Sequence, residues 1–482
     1  MKNKTVFVED FGELFVDIQL GEVLDDQKTF VDCEPRLPAR QILERYRKEK
    51  QKPGFQLRAF FDKYFDLPNG EASLHLGKLS IDAYIDVMWG ALTRRSTNAY
   101  STLIPLPEPF VVPGGRFGEI FYWDSFFTML GLKVAGKTEL LAGMLRNFAY
   151  LIDVYGFIPN ANRTYFLSRS QPPFFSLMLE LCPGSLAVYA SQLEKEYAFW
   201  MEGEATGEGT IRHVVRMPGG EHLNRYWDER DTPRPEGYKH DLDLAAGHGH
   251  PGLFRHLRAG GESGWDFSSR WLADGRSPQS IRTTDLVPVD LNCLLLLLER
   301  ALEKAFKGER AAHYRLRAQR REGAIQRYLW NPGTGCFGDY DLVQAQPCPA
   351  PTAAMVFPLF AGVATSEQAM RTAALLDRHF LRPGGLLTTL AYTEMQWDAP
   401  NGWAPLQWVA CQGLQRYGLE GMAGRIKRNW MWAVETVYAG TGKLMEKYNV
   451  EDPMNRAVHG EYLNQEGFGW TNGVYTDFKY SH

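Results

Sequence analysis

From about residue 80 to its end the chain repeats one pattern: apolar residues at i, i+3, i+4 and i+7, in long stretches divided by Gly-, Pro-, Asn- and Asp-rich connections. This spacing predicts helices over residues 138–155, 184–203, 287–307, 309–330, 366–379, 404–417 and 419–438. The pair 287–307 and 309–330 parts only around Gly308, which predicts an αα-hairpin. Few segments alternate with period two, so an all-α fold with little β-structure is expected. Repeated helix–loop–helix units of this size suit a closed ring of helical hairpins, with the loops gathered at one mouth. Those loops are long, yet too rich in Trp, Arg and Gly for disorder.

Residues 1–80 read differently. Pro35, Pro38, Pro53-Gly54 and Pro68-Asn69-Gly70 break short charged and apolar pieces. We expect an N-terminal extension with one or two helices, such as 39–50, packed on a main domain of residues 81–482. The formal net charge of −4 comes with no basic block, which argues against nucleic acid as a partner. The longest apolar run, residues 294–298, is far too short to cross a bilayer, so no membrane partner is expected. Residues 1–10 carry neither an apolar run nor a small-residue cleavage site, so the cytoplasm is the expected compartment, or the periplasm if a leader has been removed. Six Cys with no C-x-x-C pair predict free, buried thiols.

Aromatic residues make up 13 % of the chain, with 13 Trp and 22 Tyr. Most of the Trp are read as core. Three blocks go beyond what a core demands: PGGRFGEIFYWD at 113–124, ESGWDFSSRW at 262–271 and QWDAPNGWAP at 396–405. Each sets an Asp against a Trp beside glycines. One such block can be a Trp-anchored turn capped by Asp; three together suit a sugar site. An aromatic ring covers the apolar face of a pyranose while a carboxylate accepts its hydroxyl protons.

The first and third blocks resemble the two signature motifs of the trehalase family, glycoside hydrolase family 37. Collinear matches run through QKTF at 27–30, IPN at 158–160, YFLSRSQPP at 165–173, NRYWD at 224–228, RDTPRPE at 230–236, EKY at 446–448 and GFGWTNGV at 467–474. The resemblance implies an (α/α)6 barrel and an inverting hydrolase of α,α-trehalose that needs no cofactor or metal. It assigns the general acid to Asp266 and the general base to Glu446. Substrate binding falls to Arg116, Phe117, Trp123, Asp124, Asn160, Arg169, Gln171, Arg234, Glu236, Gly264, Trp403 and Glu461. The neighbours of Asp266, Trp265 and Phe267, favour its protonated form, and Lys447 would favour a carboxylate at Glu446. A monomer is expected. In an inverting enzyme the two carboxyls stand about 6.5–9.5 Å apart.

The chain departs from that pattern in two places. The family carries a run of glycines before the residue matching Glu461, whereas this chain has one glycine in RAVHGE at 456–461, which suggests a stiffer lid. Residues 237–251 hold His240, His248 and His250, with His256 beyond, and read as a solvated loop rather than a metal site. GTGK at 440–443 fails the phosphate-loop spacing. Two other functions compete: phosphorolysis, with Arg116, Arg169 and Arg234 holding phosphate, and a catalytically inert sugar-binding protein. The base candidate Glu446 argues against the first, and retention of both carboxyls against the second.

Overall fold

A computed structural model describes residues 4–68, 79–97, 99–204, 209–248, 250–458 and 460–481. Six inner helices, Tyr122–Val134, Phe175–Glu180, Val289–Ala305, Phe357–Phe360, Ala404–Arg416 and Gly469–Tyr480, each touch the next, and the last touches the first. Ile81–Ala91, Thr138–Tyr155, Ala190–Trp200, Gly308–Ala324, Ser366–Leu375 and Glu420–Thr441 lie outside that ring. The fold is an (α/α)6 barrel.

The ring closes at its tightest crossing, between Tyr122–Val134 and Gly469–Tyr480. A Cβ on Gly131 would stand 2.6 Å from Gly473 Cα, and one on Gly473 would stand 2.0 Å from the Phe127 carbonyl oxygen. Only glycine lets two helix backbones approach so closely. Every residue of Tyr122–Val134 from Tyr122 to Leu132 is buried. A helix packed on all sides has no polar stripe, which is why periodicity does not reveal it.

Helices with one wet face follow the sequence reading closely. The stretch 138–155 is the helix Thr138–Tyr155, and 287–307 and 309–330 form a hairpin from Val289–Ala305 and Gly308–Ala324. Three readings need correction. The stretch 184–203 is two helices, Ser185–Val188 and Ala190–Trp200, broken at Tyr189. The ends of 309–330 and 366–379 widen into π-turns at Ile325–Leu329 and Leu376–Phe380. The expected loop at 237–251 is largely the helix Tyr238–His248. Its amphipathic contrast is weak, and tertiary bonds anchor its start: Gln27 Oε1 accepts from the backbone N–H of Lys239 at 2.6 Å, and Asp241 meets Arg234 at 2.7 Å. Gly442 lies just past the helix Glu420–Thr441 as its left-handed cap, so GTGK serves as a helix end.

Among its described residues the extension holds four α-helices rather than one or two: Glu13–Leu20, Gln27–Asp32, Ala39–Glu49 and Leu57–Tyr64. They share a core of their own built on Phe11, Leu14, Phe30, Ile42, Tyr46 and Phe61. Buried polar contacts fasten it to the barrel. Gln19 Nε2 donates to the Pro235 carbonyl at 2.9 Å, Lys28 Nζ meets Glu119 at 2.6 Å, and the Tyr165 hydroxyl donates to Asp32 at 2.8 Å. Among the described residues every strand is two or three residues long, in seven small sheets. One matters for the site: Asn401–Trp403 pairs antiparallel with Lys447–Asn449, placing Trp403 opposite Lys447.

Candidate active site

The loops at one mouth of the ring enclose a cavity of about 260 Å³. All fourteen residues singled out from the sequence line it: Arg116, Phe117, Trp123, Asp124, Asn160, Arg169, Gln171, Arg234, Glu236, Gly264, Asp266, Trp403, Glu446 and Glu461. Its floor is a stack of indoles. Trp397 and Trp403 lie parallel with centroids 3.9 Å apart, and Trp265 continues the stack at 5.5 Å from Trp397. Trp123 approaches Trp397 at 5.7 Å, and Trp470 meets Trp403 edge-on at 5.6 Å. Trp123, Trp397, Trp403 and Trp470 are thus both core and lining, while Trp265 backs the stack from within the core.

Helix starts place the floor. Trp123 and Asp124 occupy the first turn of Tyr122–Val134, where no capping side chain is local; Gln171 Oε1 accepts from the Trp123 backbone N–H at 3.1 Å instead. Gly264 has φ +73°, and a Cβ there would stand 2.8 Å from Trp123 Cε2. Gly264→Ala is therefore expected to cost about 2–3 kcal/mol through backbone strain and displacement of the indole. The urea midpoint at unchanged m-value would show it, and an unaltered midpoint would contradict this account.

Three arginines ring the polar wall. Arg234 grips Asp241 through Nε and Nη2, at 3.1 and 2.7 Å, while Nη2 also reaches Glu461 at 2.9 Å. Arg169 donates to Glu236 at 2.6 Å. Arg116 pairs with Asp26 of the extension at 2.8 Å and lies 5.1 Å from the Tyr462 ring centroid. Asn160 spends both amide protons on the carbonyls of Ser170 and Gly261, each at 3.0 Å, so it can offer a ligand only its oxygen. Phe117 packs edge-on against Tyr462 at 5.5 Å.

Asp266 sits half-buried on a loop that the third block holds. Gln396 Nε2 donates to the Asp266 carbonyl at 2.6 Å, and the Trp397 N–H to the Phe267 carbonyl at 3.1 Å. Asp398 accepts from Ser268 Oγ at 2.9 Å, from Ser269 N at 2.9 Å and from Ser269 Oγ at 2.8 Å. The carboxyl of Asp266 is pushed up to about 7, first by burial and then by the charge of Glu461, against the pull of Arg234. Glu446 is met differently: Lys447 Nζ donates to Oε2 at 3.0 Å and the Tyr462 hydroxyl to Oε1 at 2.7 Å. Asp124, near both, is pushed well above the ordinary carboxylate range by burial, with the charges of Glu446 and Asp266 adding.

Several lining residues carried no sequence signal for the site. Asp25 and Asp26 bring the extension into the wall beside Gln27 and Lys28, which the QKTF block had marked only as a family match, and His240 joins from the helix Tyr238–His248. His240 Nδ1 lies 3.3 Å from Glu461. Tyr462, next to a singled-out residue, could have been found by adjacency. His256 is remote: buried, held down to about 4 by desolvation, and bonded to Thr284 at 3.0 Å. Among the described residues no three His, Cys, Asp or Glu gather as a metal site.

The chain matches the family profile described as Trehalase over residues 22–480. It is 50 % identical over 480 residues to the periplasmic trehalase of Xanthomonas campestris pv. campestris (strain B100), covering 96 % of this chain and 84 % of that one. The periplasmic trehalase of Pseudomonas aeruginosa is 49 % identical over 485 residues, covering 97 % and 88 %. The solved neutral trehalase of Saccharomyces cerevisiae superposes with a TM-score of 0.64 at 27 % identity, covering 84 % of this chain and 80 % of that one. The GH63 mannosylglycerate hydrolase of Thermus thermophilus shares the fold, with a TM-score of 0.53 at 19 % identity over 83 % of this chain and all (100 %) of its own. With a matching profile over nearly its whole length and relatives at half identity, the chain belongs to the trehalase family.

Proposed function

We propose that this glycosidase hydrolyses α,α-trehalose by single displacement, with Asp266 as general acid and Glu446 as general base. One observation carries the division of labour: two carboxyls line one cavity in opposite surroundings. Asp266 is kept protonated to about 7 by burial and by Glu461. Glu446 faces an ammonium and a phenol that both donate to it. Environments that separate two carboxyls in this way set acid and base roles.

In the reaction Glu446 accepts a proton from a water as that water attacks one anomeric carbon. Asp266 gives its proton to the bridging oxygen as the second glucose departs. The indole floor covers the flat faces of the sugars, the guanidinium forks of Arg116, Arg169 and Arg234 reach paired hydroxyls, and Asn160 accepts through its oxygen. Charge on the oxocarbenium-like centre develops between the carboxyls. The chemistry draws on no cofactor. Because the relatives are named periplasmic, we place the chain in the periplasm rather than in the cytoplasm, as the sequence alone had suggested.

The test is product analysis on trehalose beside maltose, sucrose and trehalose 6-phosphate, with and without inorganic phosphate. Fresh product followed by proton NMR should hold equal α- and β-glucose, because the attacked carbon inverts and the departing sugar keeps its configuration. Product that is all α would exclude inversion, and glucose 1-phosphate would exclude hydrolysis. Osmotic shock should release the activity; its retention in spheroplasts would return the chain to the cytoplasm.

A further inference from the structure

We infer that Tyr462 is a positioning residue for Glu446: its hydroxyl, brought across the cavity on residues 460–466, fixes the plane in which the carboxylate meets the attacking water. The inference rests on the reading of Glu446 as the base. Glu446 is only 1 % exposed, and each of its oxygens has one protein donor. A carboxylate has about four acceptor positions, so each oxygen keeps one for water. The terminal torsion of a glutamate is broad, and a single donor leaves it free to turn. Two donors on opposite oxygens stop that rotation.

The two donors differ in origin. Lys447 is built into the ladder opposite Trp403, and its ammonium also donates to Gln396 Oε1 at 2.9 Å. The rings of Trp403 and Tyr462 flank it at 5.1 and 5.0 Å. Through Gln396, which also holds the Asp266 carbonyl, this donor is tied to the acid loop. Tyr462 arrives on another segment, its hydroxyl touching the same network only through a 3.4 Å bond accepted from Gln396 Nε2. Glu461 anchors its segment to Arg234 at 2.9 Å, Gln465 Oε1 accepts from the Arg116 N–H at 2.8 Å, and Asn464 Nδ2 donates to the Lys447 carbonyl at 2.9 Å. The Gln465 carbonyl accepts from the Glu446 N–H at 2.9 Å. The segment that seats Glu461 beside the acid thus aims the base with the next residue. Both halves of the site are completed by one dipeptide.

Tyr462→Phe keeps the ring contacts with Phe117, Arg116 and Lys447 and removes the donor to Glu446, together with the long 3.4 Å bond that the hydroxyl accepts from Gln396 Nε2. The expected result is a kcat about 10- to 100-fold lower with KM changed less than about 2-fold, since a bond that orients the base acts on the transition state. Glu446→Gln is measured alongside. If it turns over trehalose normally, the base assignment fails. If it is inactive while Tyr462→Phe keeps the wild-type kcat, or loses kcat and raises KM alike, the positioning role alone fails.

Discussion

Asp266→Asn and Glu446→Gln should each lower trehalose turnover about 10³- to 10⁴-fold, and the two variants should part on α-glucosyl fluoride. Fluoride leaves without receiving a proton, so a protein that lacks only the acid recovers turnover on it. A protein that lacks the base does not, because the attacking water still has to lose its proton. The pH profile carries the same distinction. The acid works only while protonated, so wild-type kcat/KM on trehalose should fall as the pH rises through about 7, where burial and Glu461 hold Asp266. In Asp266→Asn assayed on the fluoride that alkaline limb should vanish. Recovery by Glu446→Gln and not by Asp266→Asn would exchange the two roles. Normal trehalose turnover in either would remove it from the mechanism.

What the sequence revealed follows from what each residue faces. The helix Thr138–Tyr155 has water on one side, and its apolar stripe marks it to the residue. Tyr122–Val134 and Gly469–Tyr480 are buried on nearly all sides, so their composition reads as apolar runs or motif and not as helix. The site divides along similar lines. Residues within a motif, such as Trp123, Gly264 and Asp266, stand out by composition and family resemblance. The groups that hold them come from elsewhere in the chain: Asp26 meets Arg116 from the extension, and Gln396, the first residue of the third block, reaches the Asp266 carbonyl across 130 positions of sequence. No local pattern encodes such pairings. The raised pKa of Asp266 illustrates the limit. Apolar neighbours Trp265 and Phe267 predict its direction, and burial is indeed the first cause, but the next, Glu461, comes from a distant segment. The segment 237–251 failed for the converse reason: its helix start is fixed by Gln27 and Arg234, not by its own residues.

Arg234→Leu should be the most damaging change that touches neither proposed catalytic carboxyl. Its side chain is 3 % exposed, and Asp241, gripped by the same guanidinium, is wholly buried at 0 %. Removing the arginine strands that carboxylate, at a cost of about 3–5 kcal/mol. Glu461 loses its 2.9 Å partner too, but at 31 % exposure it can turn to water. Stability and activity can then be separated. Asp241→Asn, added to Arg234→Leu, removes the stranded charge and keeps an oxygen for the backbone N–H of residue 234, which donates to Asp241 at 2.7 Å. The double variant should regain about 2 kcal/mol or more in the urea midpoint. Its kcat/KM should stay about 10³-fold below wild type, because the fork that meets the sugar hydroxyls is still missing. Whatever activity survives should hold to higher pH: without Arg234, the stronger of the two cations that pull Asp266 down, the charge of Glu461 is opposed only by Arg169 among the arginines, and the acid keeps its proton longer. If the double variant recovered activity together with stability, Arg234 would be scaffold alone, and the sugar would have to be held by Arg116 and Arg169.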